Sequence, residues 1–311
     1  MRSPEHRLAA LALTAFAVSA SGCTGEELDA PPEATEELRL GRVHVVLEPE
    51  ADPDVVNDSE AFEISARFAF VRGLDQDFVR ARIDMPLLAT DVVQPSDCVV
   101  TDTLVTVEPT EIPQGELLQL RLVDAGDIAV RIGNHSIDLP LMIRPDLLPY
   151  MSGLEYLYVG EEAPRNLDAD GGARVTVDAK GSQTDEFPPF RAEGIVPAPL
   201  GLDMSEADQR ELANNALVLR WQAADEDELI TVRLTGLQGG DPVGADLTCV
   251  LDDVGQTALD FGRLQTLGLM LDAESLRVTA SRLQQTQFDA GDFVGSELFI
   301  ERREQLIVPL P

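Results

Sequence analysis

Residues 62–70 read Phe-Glu-Ile-Ser-Ala-Arg-Phe-Ala-Phe, with an apolar side chain at every second position. Successive side chains of a β-strand point to opposite faces, so this alternation predicts a strand with one buried face. Clusters of Gly, Pro, Asn and Asp separate further runs of this kind at intervals typical of β-sandwiches. The sequence therefore predicts an all-β fold. The other alternating runs are 79–85, 118–122, 128–132, 217–221 and 230–234.

Helical periodicity is confined to two short segments. Ser205–Ala213 opens with a Ser followed three residues later by Asp208, which resembles an N-terminal capping box. The second candidate helix runs from Ala258 to Leu267. We expect strands and turns in the rest of the folded chain.

An internal repeat is the second strong feature of the sequence. A shift of 151 residues places Asp77–Asp102 on Glu228–Asp253 without a gap, so that Cys98 meets Cys249. Alternating apolar positions upstream of these segments also match, with Phe70 in the place of Trp221. One reading is a tandem duplication of a single β-module. The other is two generic strand–turn–strand stretches that look alike because β-proteins share such patterns.

The segment Leu217–Asp253 contains Leu-Arg-Trp221, Ile-Thr-Val-Arg-Leu and Leu-Thr-Cys249. It resembles an Ig-like or fibronectin-III-like sandwich, in which a Trp on a strand packs in the core. It is also similar to uncharacterised bacterial lipoproteins with a "W … V-x-L … C-x-x-D" run. The resemblance implies tandem Ig-like β-sandwich modules, which we place at residues 38–150 and 151–311, with Trp221 in the second core.

The charge of the chain excludes some partners. The formal net charge is −33, and Lys180 is the only lysine. A field of this sign repels nucleic acid and anionic headgroups, so neither is an expected partner. It could capture cations or a basic partner, or it could simply keep an exported protein soluble. With 44% apolar residues, the chain can nevertheless bury a core.

Residues 1–22 are expected to be a signal peptide. Arg2 and Arg7 precede an apolar run, Leu8–Val18, that is too short to cross a bilayer. Small residues then lead directly into Cys23, with Ala-Ser-Gly-Cys at the end of the run.

This ending resembles the lipobox of bacterial lipoproteins, although Ala20 stands where Leu is usual. The resemblance implies cleavage before Cys23, lipidation of Cys23 and a membrane anchor of acyl chains. Thr24 follows the cysteine, and the Asp that resembles a retention signal for the inner membrane is absent, which favours the outer membrane. The alternative is an ordinary signal peptide cut after Ala20. Residues 23–37 are acidic and contain prolines, so they are expected to be a flexible tether.

Cys98 and Cys249 are the cysteines that remain once Cys23 is acylated. Two cysteines in an exported protein favour a disulfide. Equivalent strands of two modules meet, however, only if the modules pack face to face. The alternative is one buried thiol in each module. A catalytic thiol is not expected, because no basic residue or histidine lies near either cysteine in sequence.

The best metal candidate is the run Asn-Leu-Asp-Ala-Asp-Gly-Gly at residues 166–172. Alternating oxygen-bearing side chains before a Gly resemble the start of a calcium-binding loop. The possible ligands are Asn166, Asp168 and Asp170. Val177 occupies the twelfth position, where a calcium loop carries a bidentate Glu. The alternative is a hairpin connection rich in turn-forming residues.

Motifs for catalysis are absent from the sequence. His44 alternates with two valines and is expected to face solvent, while His135 lies in a Gly-Asn-His-Ser turn. A Ser-His-Asp triad would need one of them, yet no Gly-x-Ser-x-Gly occurs, and histidines and cysteines lack zinc-ligand spacing.

These features predict a lipid-anchored protein of the cell envelope with a non-enzymatic role in binding, adhesion or scaffolding. Its partners would be the membrane, through the anchor, and an envelope or extracellular protein or glycan. Two alternatives stay open. One is a hydrolase that uses two converging carboxylates of raised pKa. The other is a calcium-stabilised adhesion module.

Overall fold

A computed structural model describes most of the chain from residue 37 onward, and residues 36–311 form one compact unit. Cys23, the predicted tether up to residue 36 and the calcium candidates Asn166, Asp168 and Asp170 lie outside the described residues. The described ranges are 37–49, 60–74, 76–85, 88–101, 119–148, 151–160, 172–205, 208, 212, 215–224, 228–269 and 273–310.

Strands dominate the described residues, and the all-β prediction is confirmed. The strands are β1 (Glu37–Pro49), β2 (Glu60–Arg72), β3 (Asp97–Val100), β4 (Gln119–Leu122), β5 (Ile128–Ile132), β6 (His135–Leu139), β7 (Leu141–Leu148), β8 (Met151–Gly160), β9 (Arg174–Ala179), β10 (Phe190–Ile195), β11 (Ala216–Arg220), β12 (Leu229–Gln238), β13 (Asp241–Asp252), β14 (Gln256–Asp260), β15 (Ser275–Ala290) and β16 (Phe293–Pro309). The helices are α1 (Gln76–Arg82), α2 (Ala89–Val92) and α3 (Phe261–Thr266).

A large sheet forms the main layer, with the strand order β3-β13-β12-β15-β16-β1-β2-β8-β7 and with β4 paired to β2. All its pairings are antiparallel except that of β1 with β16, which joins the two ends of the described chain in parallel. Strands from both predicted modules thus alternate within one sheet. The boundary predicted at residue 150 falls between β7 and β8, which are hydrogen-bonded neighbours, so it does not separate two domains.

Two smaller sheets cover one face of the large sheet. The four-stranded sheet β10-β9-β5-β6 encloses the first core, and the pair β11-β14 contributes to the second. The alternation of residues 62–70 has the predicted effect, because Phe62, Ile64 and Phe68 all point into the first core. The ring of Phe68 lies 4.8 Å from that of Phe187, which comes from the covering layer.

Trp221 fills the second core, as predicted, and its indole N–H is satisfied by a buried carboxylate. Nε1 of Trp221 donates to Asp253 at 2.7 Å, and Nε of Arg282 donates to the other oxygen of the same carboxylate at 2.9 Å. The side chains of Arg282 and Asp253 are 3% and 0% exposed. Asp253, the residue directly after the C-x-x-D run, therefore ties the tryptophan to β15.

The run 79–85 is helical at its start, so the prediction of a strand there is wrong. Val79 and Ile83 are both buried against β1, β2 and β4, and their spacing of four residues fits one face of a helix as well as a period of two. The predicted helix at Ser205–Ala213 is described only in part. Its capping box is present, because Ser205 Oγ lies 2.5 Å from the carboxylate of Asp208 and accepts the Asp208 N–H at 3.2 Å.

The second candidate helix is shorter than expected. It begins at Phe261 because residues 256–260 pair with β11, and Asp260 caps it by accepting the Arg263 N–H at 2.9 Å.

The two halves of the sequence repeat do not occupy equivalent places. Residues 77–82 are helical, whereas the matched residues 228–233 enter strand β12. Likewise β2 lies within the large sheet, whereas the matched β11 lies outside it and pairs with β14. The similarity therefore reflects shared strand patterns and not a repeated module.

Candidate binding site on the large sheet

The candidate site lies on the face of the large sheet that points away from the two cores. In β1, Val43 and Val45 pack into the first core, so Arg42 and His44 point to the opposite face. The strands β2, β12, β15 and β16 add further polar side chains to this face, and α2 forms part of its wall. These side chains are Glu63, Ser65, Arg67, Thr231, Arg233, Thr235, Arg277, Thr279, Ser281, Glu301, Arg303 and Gln305.

Two adjoining cavities open on this face, with volumes of about 350 Å³ and about 510 Å³. Ala89, Thr231, Ser281, Glu301 and Arg303 line both of them. We call the joined space the sheet-face groove. Each cavity has the size of a typical small-molecule pocket, but the lining is far more polar than is usual for such pockets.

At one end of the groove, two arginines face each other across neighbouring strands. Arg42 of β1 is the register partner of Arg67 in β2, and like charges in this position repel unless each is compensated. Arg42 donates to Glu297 at 2.7 and 3.2 Å. Arg67 pairs with Glu155 at 3.1 Å and with Asp84 at 3.2 Å. Burial lowers the pKa of Arg42 and Glu297 opposes this, yet an arginine stays a cation at neutral pH.

Glu301 organises the middle of the groove, where its side chain is 14% exposed. It accepts a hydrogen bond from Arg303 through each carboxylate oxygen, both at 2.9 Å, and lies 3.0 Å from Nε2 of His44. Burial alone would raise the pKa of Glu301, but the hydrogen bonds to His44 and Arg303 outweigh it and hold the pKa well below its usual range. Glu301 is therefore an ionised acceptor at neutral pH.

His44 lies on the outward face of the sheet, as its alternation with two valines predicted, but it is not fully exposed. Its side chain is half-buried in the groove, and its ring meets the edge of Phe299 at a centroid distance of 6.0 Å. The sequence neighbours of His44 gave no sign of this, because the groups around it come from β2 and β16.

The other end of the groove is rich in hydroxyl groups. Arg233 is paired with Asp246 at its rim. The side chain of Arg277 has no hydrogen-bond or ion-pair partner within the part of the chain that the structure describes. Thr101 and Thr248 share a hydrogen bond of 2.8 Å. The hydroxyl-bearing residues of the whole groove are Ser65, Thr90, Thr101, Thr231, Thr235, Thr248, Thr279 and Ser281.

The groove is electrically balanced, in contrast to the whole chain at −33. Its described lining has five arginines, namely Arg42, Arg67, Arg233, Arg277 and Arg303. It also has five carboxylates, namely Glu48, Glu63, Asp84, Asp246 and Glu301. This strongly acidic protein thus places five of its 23 basic residues on one face, beside an equal number of carboxylates.

A disulfide fixes the edge of the sheet beside the groove. Cys98 and Cys249 are register partners of β3 and β13, and their sulfur atoms are bonded at 2.04 Å. The equivalent cysteines of the sequence repeat therefore meet within one sheet, without any packing of two modules. Because β13 is the one strand paired with β3 among the residues that the structure describes, this bond holds Thr101, at the end of β3, against the groove.

The remaining predicted sites concern metal ions, the membrane and lipidation. No group of three or more His, Cys, Asp or Glu side chains among the described residues is arranged to hold a metal ion. The helices within these ranges are all too short or too polar to cross a membrane. Lipidation at Cys23 and calcium binding at Asn166, Asp168 and Asp170 stay predictions, since these residues lie outside the described ranges.

Comparison with known proteins identifies no family. No protein-family profile matches the chain, and no curated protein matches it. Among solved structures, it is similar to a yeast delta-COP-I mu-homology domain complexed with a Dsl1 WxWxV peptide. The identity is 9% and the TM-score 0.24, over 88% of this chain and 98% of that chain. A likeness at this level assigns neither a fold family nor a function.

Proposed function

We propose that this protein is a non-enzymatic binding or scaffolding protein of the bacterial cell envelope, anchored by lipid at Cys23, and that the sheet-face groove is its binding site. The observation that carries the binding role is the groove itself, with about 350 and 510 Å³ of space lined by ordered, charge-balanced polar groups. Polar side chains fixed in this way by ion pairs are suited to recognising a ligand without reorganisation.

The anchor rests on the sequence of residues 2–23. A basic start, a short apolar run and a cysteine after small residues are together typical of lipoprotein export signals. The disulfide between Cys98 and Cys249 agrees with export from the cytoplasm, because such bonds persist in oxidising compartments. The outer membrane is the favoured location.

The groove chemistry favours binding over hydrolysis. An acidic-residue hydrolase needs a carboxyl with a raised pKa, whereas the pKa of Glu301 is lowered by its hydrogen bonds to His44 and Arg303. Ser65, the nearest serine across the strand from His44, accepts a hydrogen bond from Arg67 at 3.4 Å instead of pairing with the imidazole. The ionised side chains at the centre of the groove are therefore held in ion pairs, as suits recognition.

Photo-crosslinking in intact cells tests this proposal. The full-length protein would carry a benzophenone side chain at Ser281, inside the groove, or at the exposed Gln265 on α3 as the matched control. We expect an adduct of higher mass after irradiation from position 281 and none from position 265. Equal adducts at both positions, or none at position 281, would contradict a binding role for the groove.

A further inference from the structure

We infer that the ligand of the sheet-face groove is an uncharged, polyhydroxylated molecule, namely a neutral oligosaccharide segment of a glycan. This inference rests on the proposed function, since it names the ligand class of the same site. Three properties of the groove carry it: its charge balance, its mixture of donors and acceptors, and its position on the face of the sheet.

The first property is that the central cations of the groove are already paired. Arg303 donates one hydrogen bond to each carboxylate oxygen of Glu301, and Arg42 donates two hydrogen bonds to one oxygen of Glu297. At these two arginines an anionic ligand would have to displace a buried carboxylate, which is costly, and a cationic ligand would have to displace an arginine. A ligand without net charge can bind while every one of these pairs remains intact.

The second property is that donors and acceptors alternate across the groove. Thr231 of β12 and Ser281 of β15 are register partners, so their hydroxyl groups lie side by side next to the Glu301–Arg303 pair. Hydroxyl groups both donate and accept, and a carboxylate only accepts. The vicinal hydroxyls of a sugar ring offer the same mixture. Leu88 and Leu283, both half-exposed at the groove, can pack on the C–H faces of such a ring.

The third property excludes an extended peptide that would add a strand. That mode of binding needs the unpaired backbone of a sheet edge. The groove lies instead over β2, β1, β16, β15, β12 and β13, each of which is paired on both sides, and it meets the edge strand β3 only at Thr101. Over these six strands a ligand must therefore be recognised through side chains. The row of strands provides space for several sugar rings, because neighbouring strands are about 4.8 Å apart.

Binding of the purified, full-length lipidated protein in detergent to an oligosaccharide array tests the inference. The array would carry neutral, uronate-containing and sulfated oligosaccharides, each probed at low salt and at 0.5 M NaCl. We expect neutral oligosaccharides to bind, and binding to survive the salt because no net charge is matched. Binding confined to the uronate or sulfated probes and lost in salt would overturn the inference, as would no binding to any neutral probe.

Two variants of the groove and one control variant test which side chains bind the ligand. Thr231→Val keeps the shape and every ion pair but removes one hydroxyl, so affinity should fall about fivefold. Glu301→Gln should weaken binding by about tenfold or more, because a charge-assisted acceptor is lost. Thr266→Val on α3, outside the groove, should bind like the parent protein. Equal affinity of the two threonine variants would overturn the assignment.

The two proposals can fail separately. If the photo-adduct at position 281 contains a protein while no neutral oligosaccharide binds, the saccharide inference is wrong and the binding role stands. If position 281 gives no adduct and the array shows no binding, both are wrong.

Discussion

Removal of the disulfide is the perturbation whose cost can be worked out most directly. The bond closes a loop of 151 residues between Cys98 and Cys249. In the chain-entropy treatment, a loop of this length restricts the unfolded chain enough to stabilise the fold by roughly 5 kcal/mol, which is an upper value. Because small and medium proteins are stable by only about 5–15 kcal/mol, the loss should be easily measured.

Urea unfolding followed by circular dichroism is the assay. The Cys98→Ala/Cys249→Ala variant and the parent protein in reductant should both unfold earlier than the oxidised parent. For a denaturant slope near about 3 kcal/mol/M, the shift in midpoint should approach roughly 1.7 M. The reduced parent keeps both sulfur atoms in the core, so any further shift in the alanine variant measures lost packing. If oxidised and reduced parent protein unfold at the same urea concentration, the bond has no stabilising role.

Three further predictions concern single residues. Asp253→Asn should lower the free energy of unfolding by roughly 3–5 kcal/mol, because it leaves Arg282 buried without a counter-charge. Asp246→Asn, at an exposed ion pair, should lower it by under about 1 kcal/mol. Equal losses of stability in thermal unfolding would contradict this. Glu301→Gln should lose roughly 2–3 kcal/mol at pH 7. Because folding lowers the pKa of Glu301, the parent protein should be more stable than this variant above pH about 4.3, and the difference should shrink as the pH falls below that value. A stability difference that does not change with pH would refute the lowered pKa. Gly126→Ala should destabilise the fold by about 1–3 kcal/mol more than Gly133→Ala. Both glycines have positive φ, but a Cβ at Gly126 would clash with a backbone carbonyl oxygen, whereas one at Gly133 would meet nothing within 4 Å. Similar unfolding temperatures for the two variants would contradict this prediction.

Local patterns predicted local structure well. The alternation of residues 62–70 gave the buried face of β2, and the Ser205 and Asp208 pair gave the capping box. Both depend on residues within a few positions of each other. The same kind of reasoning misassigned 79–85, because Val79 and Ile83 satisfy a period of two and a helical spacing at once.

The order of strands in the large sheet could not be predicted in this way. The parallel pair of β1 and β16 joins residues about 255 positions apart, as in the register of Arg42 with Glu297. No periodicity within either strand specifies its partner. The assumption that neighbours in sequence form separate modules therefore placed a boundary at residue 150, where the structure has two paired strands.

Local sequence patterns can indicate which side chains point outward from a strand, but not that they converge into a groove. Arg42, Arg67 and Arg303 each occupy an outward position of their strand, on the face opposite the core residues. Their convergence depends on a sheet order that brings β1, β2 and β16 together. A signal was nevertheless present, since in a chain with 56 acidic and 23 basic residues, arginines at outward strand positions are unexpected.

Lipidation at Cys23 is the central claim that a single measurement tests most directly. Cells that produce the full-length protein would be grown with radiolabelled palmitate, together with cells that produce Cys23→Ser and, as a control, Cys98→Ala/Cys249→Ala. We predict label in the parent protein and in the control, none in Cys23→Ser, and a mature chain that begins at residue 23. An unlabelled parent protein whose mature chain begins at residue 21 would contradict the anchor and indicate an ordinary exported protein.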